Sequence, residues 1–269
     1  MRTSVLAAGG VALALALTAC GGDDSSGGDA LTGGNGNGGA FSDLSSLVAS
    51  AQEETAKSSS SKFTMEMSMG GQTITAEGEG RYSGDETAMS MTMDMAGQSM
   101  DMLFVDNVMY MKMPEGMNPD PSKPWIKMTA EDAAAQGQDF SQMSQQSDPT
   151  KTLEQLQQAG GEIKNTQETE VNGEQATQYT IELDLSKAGG MLGGDEQATA
   201  SIPEGTMIPV ELYLNGDNLP LRVEMNMDAV AEAVGAPTGG KMVMNYTDWG
   251  IPVDIQAPPA DQVGEMPSF

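Results

Sequence analysis

The feature that most constrains this chain is an alternation that survives four reversals of direction. Between residues 63 and 113 large apolar side chains occupy every second position, and their parity flips at four short turns, centred on Gly70-Gly71, Gly84-Asp85, Gly97-Gln98 and Asp106-Asn107. They are odd in the first run (Met65, Met67, Met69) and even in the second (Ile74, followed by Ala76, Gly78, Gly80 and Tyr82). They are odd again in the third (Met89, Met91, Met93, Met95), even in the fourth (Met100, Met102, Phe104) and odd in the fifth (Met109, Met111, Met113). Successive side chains of a strand point to opposite faces, and a two-residue loop makes paired positions sum to an odd number. Five antiparallel strands that flip parity at every turn therefore keep all of these residues on one face. The pairing sets Met89 and Met91 opposite Gly80 and Gly78, Met102 opposite Met111, and Met67 opposite Ile74. The other face is Thr, Ser, Glu, Asp and Gln, the pattern of an antiparallel sheet with one wet side.

The flanking segments read as helices and a second strand set. Leu44, Leu47, Val48 and Ala51 recur at helical spacing behind Ser42 and Asp43 as caps, and the helix ends in the serines at 58 to 61. After Trp125, Ile126 and Met128 the chain becomes Gln- and Ala-rich, predicting helices over about 130–146 and over 149–159, where Asp148 caps, Pro149 takes the first helical position and Gly160 stops. Strands follow at 161–171, 175–185, 207–214, 219–227, 240–248 and 251–255. Ile208, Val210, Leu212 and Leu214 are in phase with Leu219, Leu221, Val223 and Met225. Across Asn172-Gly173, Ile163 and Val171 are out of phase with Tyr179, Ile181 and Leu183, which predicts a bulge. Residues 186–206 are a Gly-rich excursion, and the Pro-rich tail after Ile255 is extended.

Composition removes whole classes of chemistry. The 269 residues hold 12 basic against 39 acidic side chains, a net charge of −27, with one cysteine and no histidine. Without histidine the usual general base, zinc ligand and nucleophile activator are missing. One cysteine allows neither an internal disulfide nor a CxxC site. The acidity repels phosphate backbones and no Lys/Arg stripe offsets it, so no nucleic-acid partner is expected. The Asp and Glu of the meander sit on its outer positions, and no D-x-D-x-D-G loop occurs. The chain reads as no enzyme, with no cofactor and no protein-held metal. Trp125 and Trp249 suit a cavity rim or membrane contact, but partly buried structural roles suit them better.

The N-terminus carries an address. Arg2, the apolar run Val5 to Leu17 and small residues before Cys20 form a secretory signal, too short at about 20 Å for a ~30 Å bilayer core. Leu17-Thr18-Ala19-Cys20 resembles the bacterial lipobox, in which cleavage precedes an acylated cysteine. Residues 21–40 have linker composition; the GxGxxG at Gly34, Gly36 and Gly39 follows no strand and is no nucleotide motif. Three parts result: a signal at 1–19, an acylated Cys20 with its linker at 20–40, and one folded domain at 41–269. The expected location is the extracytoplasmic face of the cell membrane, with Cys20 as lipid anchor.

Many strands with one greasy side must bury that side. The fold expected is α+β: a strongly curved antiparallel half-barrel with helices over its concave apolar face. The helices are poor in apolar residues, so the concavity is left underfilled, and Gly78 and Gly80 opposite Met89 and Met91 read as space kept open. Its expected lining is Met65, Met67, Ile74, Met89, Met91, Met93, Met95, Met100, Met102, Phe104, Met109 and Met111. Flexible thioethers suit a wall that adapts to acyl chains. The favoured function is that of a monomeric envelope protein binding a lipid, glycolipid or lipoglycan. A rival is Cu(I) or Ag(I) binding by Met at i and i+2, and a third reading makes the methionines plain core with no ligand.

Several stretches resemble the actinobacterial LppX/LprG lipoproteins: the lipobox and linker, the helix before a Met-rich meander, Lys123-Pro124-Trp125-Ile126-Lys127, Leu219-Pro220-Leu221-Arg222-Val223-Glu224-Met225, and the ending from Asn245 to Pro259. That resemblance, over residues 41–269, implies a LolA-like half-open barrel with helices over its mouth. It also implies an acylated lipid or glycolipid carried or presented outside the membrane.

Overall fold

Tight hairpins set the register. At Asp106-Asn107 and Asn172-Gly173 both loop residues have positive φ, 54° and 58° in the first and 53° and 88° in the second. Such turns match the right-handed twist of the strands they join, and Asn, Asp and Gly accept this backbone at least cost. The computed structural model describes residues 40–69, 71–82, 87–95, 97–112, 114, 120, 122–135, 149–184, 187, 205–233 and 239–265. The signal, Cys20 and nearly all of the linker lie outside these residues, as do Met113, Asp148, most of 186–206 and the remainder of the helix expected up to 146.

The chain runs through α1 (Leu44–Ser58), β1 (Ser60–Met69), β2 (Gln72–Arg81), β3 (Ala88–Met95), β4 (Gln98–Val105), β5 (Val108–Lys112) and β6 (Trp125–Thr129). Next come α2 (Ala130–Ala135), α3 (Pro149–Gln158), β7 (Glu162–Val171), β8 (Glu174–Asp184), β9 (Met207–Leu214) and β10 (Pro220–Asn226). It ends with α4 (Asp228–Ala233), β11 (Lys241–Thr247), a single 3-10 turn and β12 (Val263–Glu265). All twelve strands form one sheet in the order β12-β6-β5-β4-β3-β2-β1-β11-β10-β9-β8-β7. Neighbours are antiparallel except β12, which runs parallel to β6.

The register is the one that parity dictates. Met67 faces Ile74, Met89 faces Gly80, Met91 faces Gly78, and Met102 faces Met111. The third turn lies one residue earlier than its sequence suggests, at residues 96–97, because Met95 pairs with Gln98. A shift occurs in β7 between Ile163 and Asn165, which supplies the bulge the Asn172-Gly173 hairpin needs. A second lies between Pro220 and Arg222. It turns Leu221 to the outer face, where it packs with Val171 and Ala176 rather than in phase with Val223. Residues 251–255 are not a strand; Ile255 instead plugs against Ala88 and Val105.

The half-barrel is overturned. The sheet is large and open: it does not curl strongly, and its terminal strands β12 and β7 do not pair. Closure would require β6 to meet β7, which are joined by the helical connection. The free side of β6 is instead taken by the three-residue β12. The described helices cover only part of the apolar face. Leu44, Leu47, Val48 and Ala51 of α1, with Leu153 and Leu156 of α3, bury Tyr179, Ile181, Leu183, Ile208, Val210 and Leu212. Their core reaches Phe63 and Tyr246 and extends over β1, β11, β10, β9 and β8. Burying those side chains drives folding of that half, at about 25 cal/mol per Å² of apolar surface.

Candidate functional site: the methionine half of the sheet

Strands β2 to β6 continue the same apolar face beyond the reach of α1 and α3. Phe104 and Met109 are buried there with Met128 and Ala133, where α2 begins to cover β6. Met65, Met67, Ile74, Met89, Met91, Met93, Met100, Met102 and Met111 are half-buried, and Met95 is 48% exposed. Met89 and Met91 lean on the main core, while Met102 and Met111 lean on the Phe104 cluster. All twelve residues expected as cavity lining thus share one face of the sheet. The space expected beside Gly78 and Gly80 is filled: a Cβ on Gly78 would lie 2.7 Å from the Phe63 ring, and one on Gly80 2.6 Å from the Tyr82 hydroxyl.

These facts correct the functional expectations. The lipid carrier rested on a closed or strongly curved sheet, so it and the lipid-transport role attached to it fall with the half-barrel. The soft-metal reading falls too. Among the described residues no group of three or more His, Cys, Asp or Glu gathers as for a metal.

Hollows lined by described residues open on the opposite, polar face. One of about 460 Å³ lies over Thr64, Glu66, Thr75, Glu77, Asp94, Arg222, Glu224, Lys241 and Asn245. A neighbour of about 370 Å³ is lined by Lys62, Glu79, Ser90 and Thr92 among others. The basic groups here are engaged: Arg222 Nε donates to Asn245 Oδ1 at 2.7 Å, and Lys241 lies 2.7 Å from Glu224. Lys112 bridges to Asp101 at 3.2 Å, and Thr92 Oγ1 donates to the same carboxylate at 3.0 Å. Among the described residues, the carboxyls whose acidity is perturbed move one way. Hydrogen bonds from Ser46 hold Asp43 below the ordinary aspartate value, those from Ser122 do so for Asp120, and those from Thr129 for Asp132. Lys164 lowers Glu162 by hydrogen bond and charge. Burial raises Tyr179, and burial with the charges of Glu224 and Glu211 raises Tyr213.

The tryptophans are structural. Trp249 Nε1 donates to the Pro220 carbonyl at 2.8 Å, and its ring stacks on Tyr246 at 5.6 Å. Trp125 is half-buried, with the Lys112 ammonium 5.9 Å from its ring centre. Sequence reading missed β6 as a strand and β12 altogether, although Ile126 and Met128 alternate in the same sense as the meander. No helix among the described residues is long and apolar enough to cross a membrane.

Comparison with known proteins adds little. No family model matches the chain, and no curated protein is similar to it. A solved DUF1329 family protein from Desulfovibrio piger is similar over 78% of this chain and 95% of its own, at 12% identity and a TM-score of 0.30. The likeness to the LppX/LprG lipoproteins rests on sequence motifs alone.

Proposed function

We propose that this chain is an exported, non-catalytic binding protein that takes an amphipathic polypeptide on the methionine half of its sheet. One observation carries the reading: a group of thioethers on β1, β3, β4 and β5, on one face of the sheet, that the described helices leave half-exposed, with Met95 the most open. Unbranched, polarizable methionine side chains re-pack around apolar partners of differing shape, and protein surfaces that bind diverse segments use them for that reason. The rest of the molecule defines the partner's other side. A chain at −27 favours a segment that is apolar toward the methionines and rich in Lys and Arg elsewhere. Export is supported by the apolar run from Val5 to Leu17 behind Arg2. A non-catalytic role is supported by the carboxyls among the described residues, whose resolved shifts favour the ionised form, which suits charge display rather than proton donation.

Methionine-methyl NMR tests this directly. Titrating a model amphipathic helix of Leu and Lys should shift the Met91, Met93, Met100 and Met102 methyls in a saturable manner. Combining Met93→Glu with Met102→Glu should weaken binding by about tenfold or more, the equivalent of about 1.4 kcal/mol. Methyls that do not move, or a double variant that binds like the parent, would refute the reading and leave these residues as core.

A further inference from the structure

The two ends of the sheet are treated differently. Proteins blunt exposed edges by keeping the edge strand short, bulging it or charging it, because unpaired backbone groups recruit other strands. One end follows the first rule: β12 is three residues long. The other is long: β7 spans ten residues without proline, is bulged only between Ile163 and Asn165, runs in regular register from Asn165 to Val171, and ends the sheet order with no described strand beyond it.

The hairpin at Asn172-Gly173 identifies which β7 groups are free. Val171 pairs with Glu174 across this two-residue turn, and the closing pair of such a hairpin exchanges both backbone hydrogen bonds. Pairs then alternate, so Glu170 opposite Gln175, Glu168 opposite Thr177 and Thr166 opposite Tyr179 are non-bonded pairs. The N–H and C=O groups of Thr166, Glu168 and Glu170 therefore point away from β8, along an edge that no described strand covers. Glu168 and Glu170 are exposed. By contrast Lys164, at the bulge, is held by Glu162 at 2.6 Å and Glu182 at 3.7 Å.

From this we infer that β7 is a strand-addition site for an extended cationic segment of another polypeptide, distinct from the methionine face. Backbone pairing with Thr166, Glu168 and Glu170 supplies the ladder, and alternate Lys or Arg side chains of the segment meet the two carboxylates. The same charges exclude a second copy of this chain, since two β7 edges side by side would set Glu168 and Glu170 against their counterparts.

The probe is a capped peptide of alternating Thr and Lys, added to the full-length exported chain at low salt. Hydrogen exchange should slow at Thr166, Glu168 and Glu170 while the methionine methyls stay unmoved, which separates this site from the one proposed above. Glu168→Pro removes an N–H that the β7–β8 ladder does not use, so the fold tolerates it. It should weaken the peptide about tenfold or more, and Glu168→Gln with Glu170→Gln should weaken it and flatten its salt dependence. Absence of protection on β7, equal binding by Glu168→Pro, or dimerisation of the parent through β7 would each overturn the inference.

Discussion

Gly78 and Gly80 are glycines because aromatic rings lie where their side chains would go. A Cβ on Gly78 would run into the Ser90 carbonyl of β3 as well as the Phe63 ring. Tyr82 sits beside Gly80, its hydroxyl 3.0 Å from the buried Ser61 Oγ. The backbone carbonyl cannot retreat without breaking the β2–β3 ladder. Gly78→Ala should therefore destabilise the fold by about 1–3 kcal/mol, the range for overpacking a filled site, read as a lower denaturant midpoint at unchanged slope. Leu47, fully buried between α1 and the sheet, should respond by the opposite mechanism. Leu47→Ala leaves a cavity and should cost about 2–5 kcal/mol in the same assay. Sequence spacing located both glycines opposite their methionines but could not say what filled the space. The residues that fill it come from β1 and from the end of β2, and only three-dimensional packing brings them there.

Among the elements, α1 and the Asp106-Asn107 hairpin show how local chemistry fixes boundaries. Asp43 caps α1 by accepting the Ser46 N–H at 2.8 Å, which holds its carboxyl below the ordinary aspartate value. A group whose folded pKa is depressed contributes stability above its unfolded pKa, and the contribution is lost as pH falls through the folded value. The exposed cap should thus weaken below about pH 4, and Asp43→Asn, which keeps the acceptor without the charge, should remove that part of the acid sensitivity. Thermal unfolding of both proteins between neutral pH and pH 3 measures it. At the hairpin, Asn107 has φ 58°, a conformation that a β-branched residue resists. Asn107→Val should cost about 1–2 kcal/mol. Elements such as α1, α3 and the β1–β5 meander were legible because cap, periodicity and turn residue agree within one segment. The β6 and β12 strands were not, because β12 is too short to show a period and its parallel partner lies more than a hundred residues away.

At the scale of the whole molecule, the alternation that located one apolar face says nothing about whether the sheet closes. Closure depends on whether β6 meets β7, and that edge is settled by β12, a segment whose three residues carry no strand signal. The same gap explains why parity made the methionines legible as one face and carried no information about a cavity. Their parity is local, whereas the volume they would line depends on distant edges. Openness also bears on electrostatics. The chain carries a net charge of −27, and the polar face of its sheet brings Glu66, Glu77 and Asp94 together around one hollow. Self-repulsion of this kind destabilises the compact state and is screened by salt. Most ion pairs that oppose it, such as Lys57–Glu53 and Lys62–Asp248, are exposed and contribute little even at low salt. Raising NaCl from about 10 mM to about 1 M shortens the screening length from about 30 Å to about 3 Å, so repulsion between distant carboxylates is lost first. The melting temperature should rise by about 4 °C or more, the shift expected from about 1–2 kcal/mol in a domain of this size. A melting temperature that falls with salt would mean that the few Lys and Arg pairs outweigh the acidic field, against the charge balance of the chain.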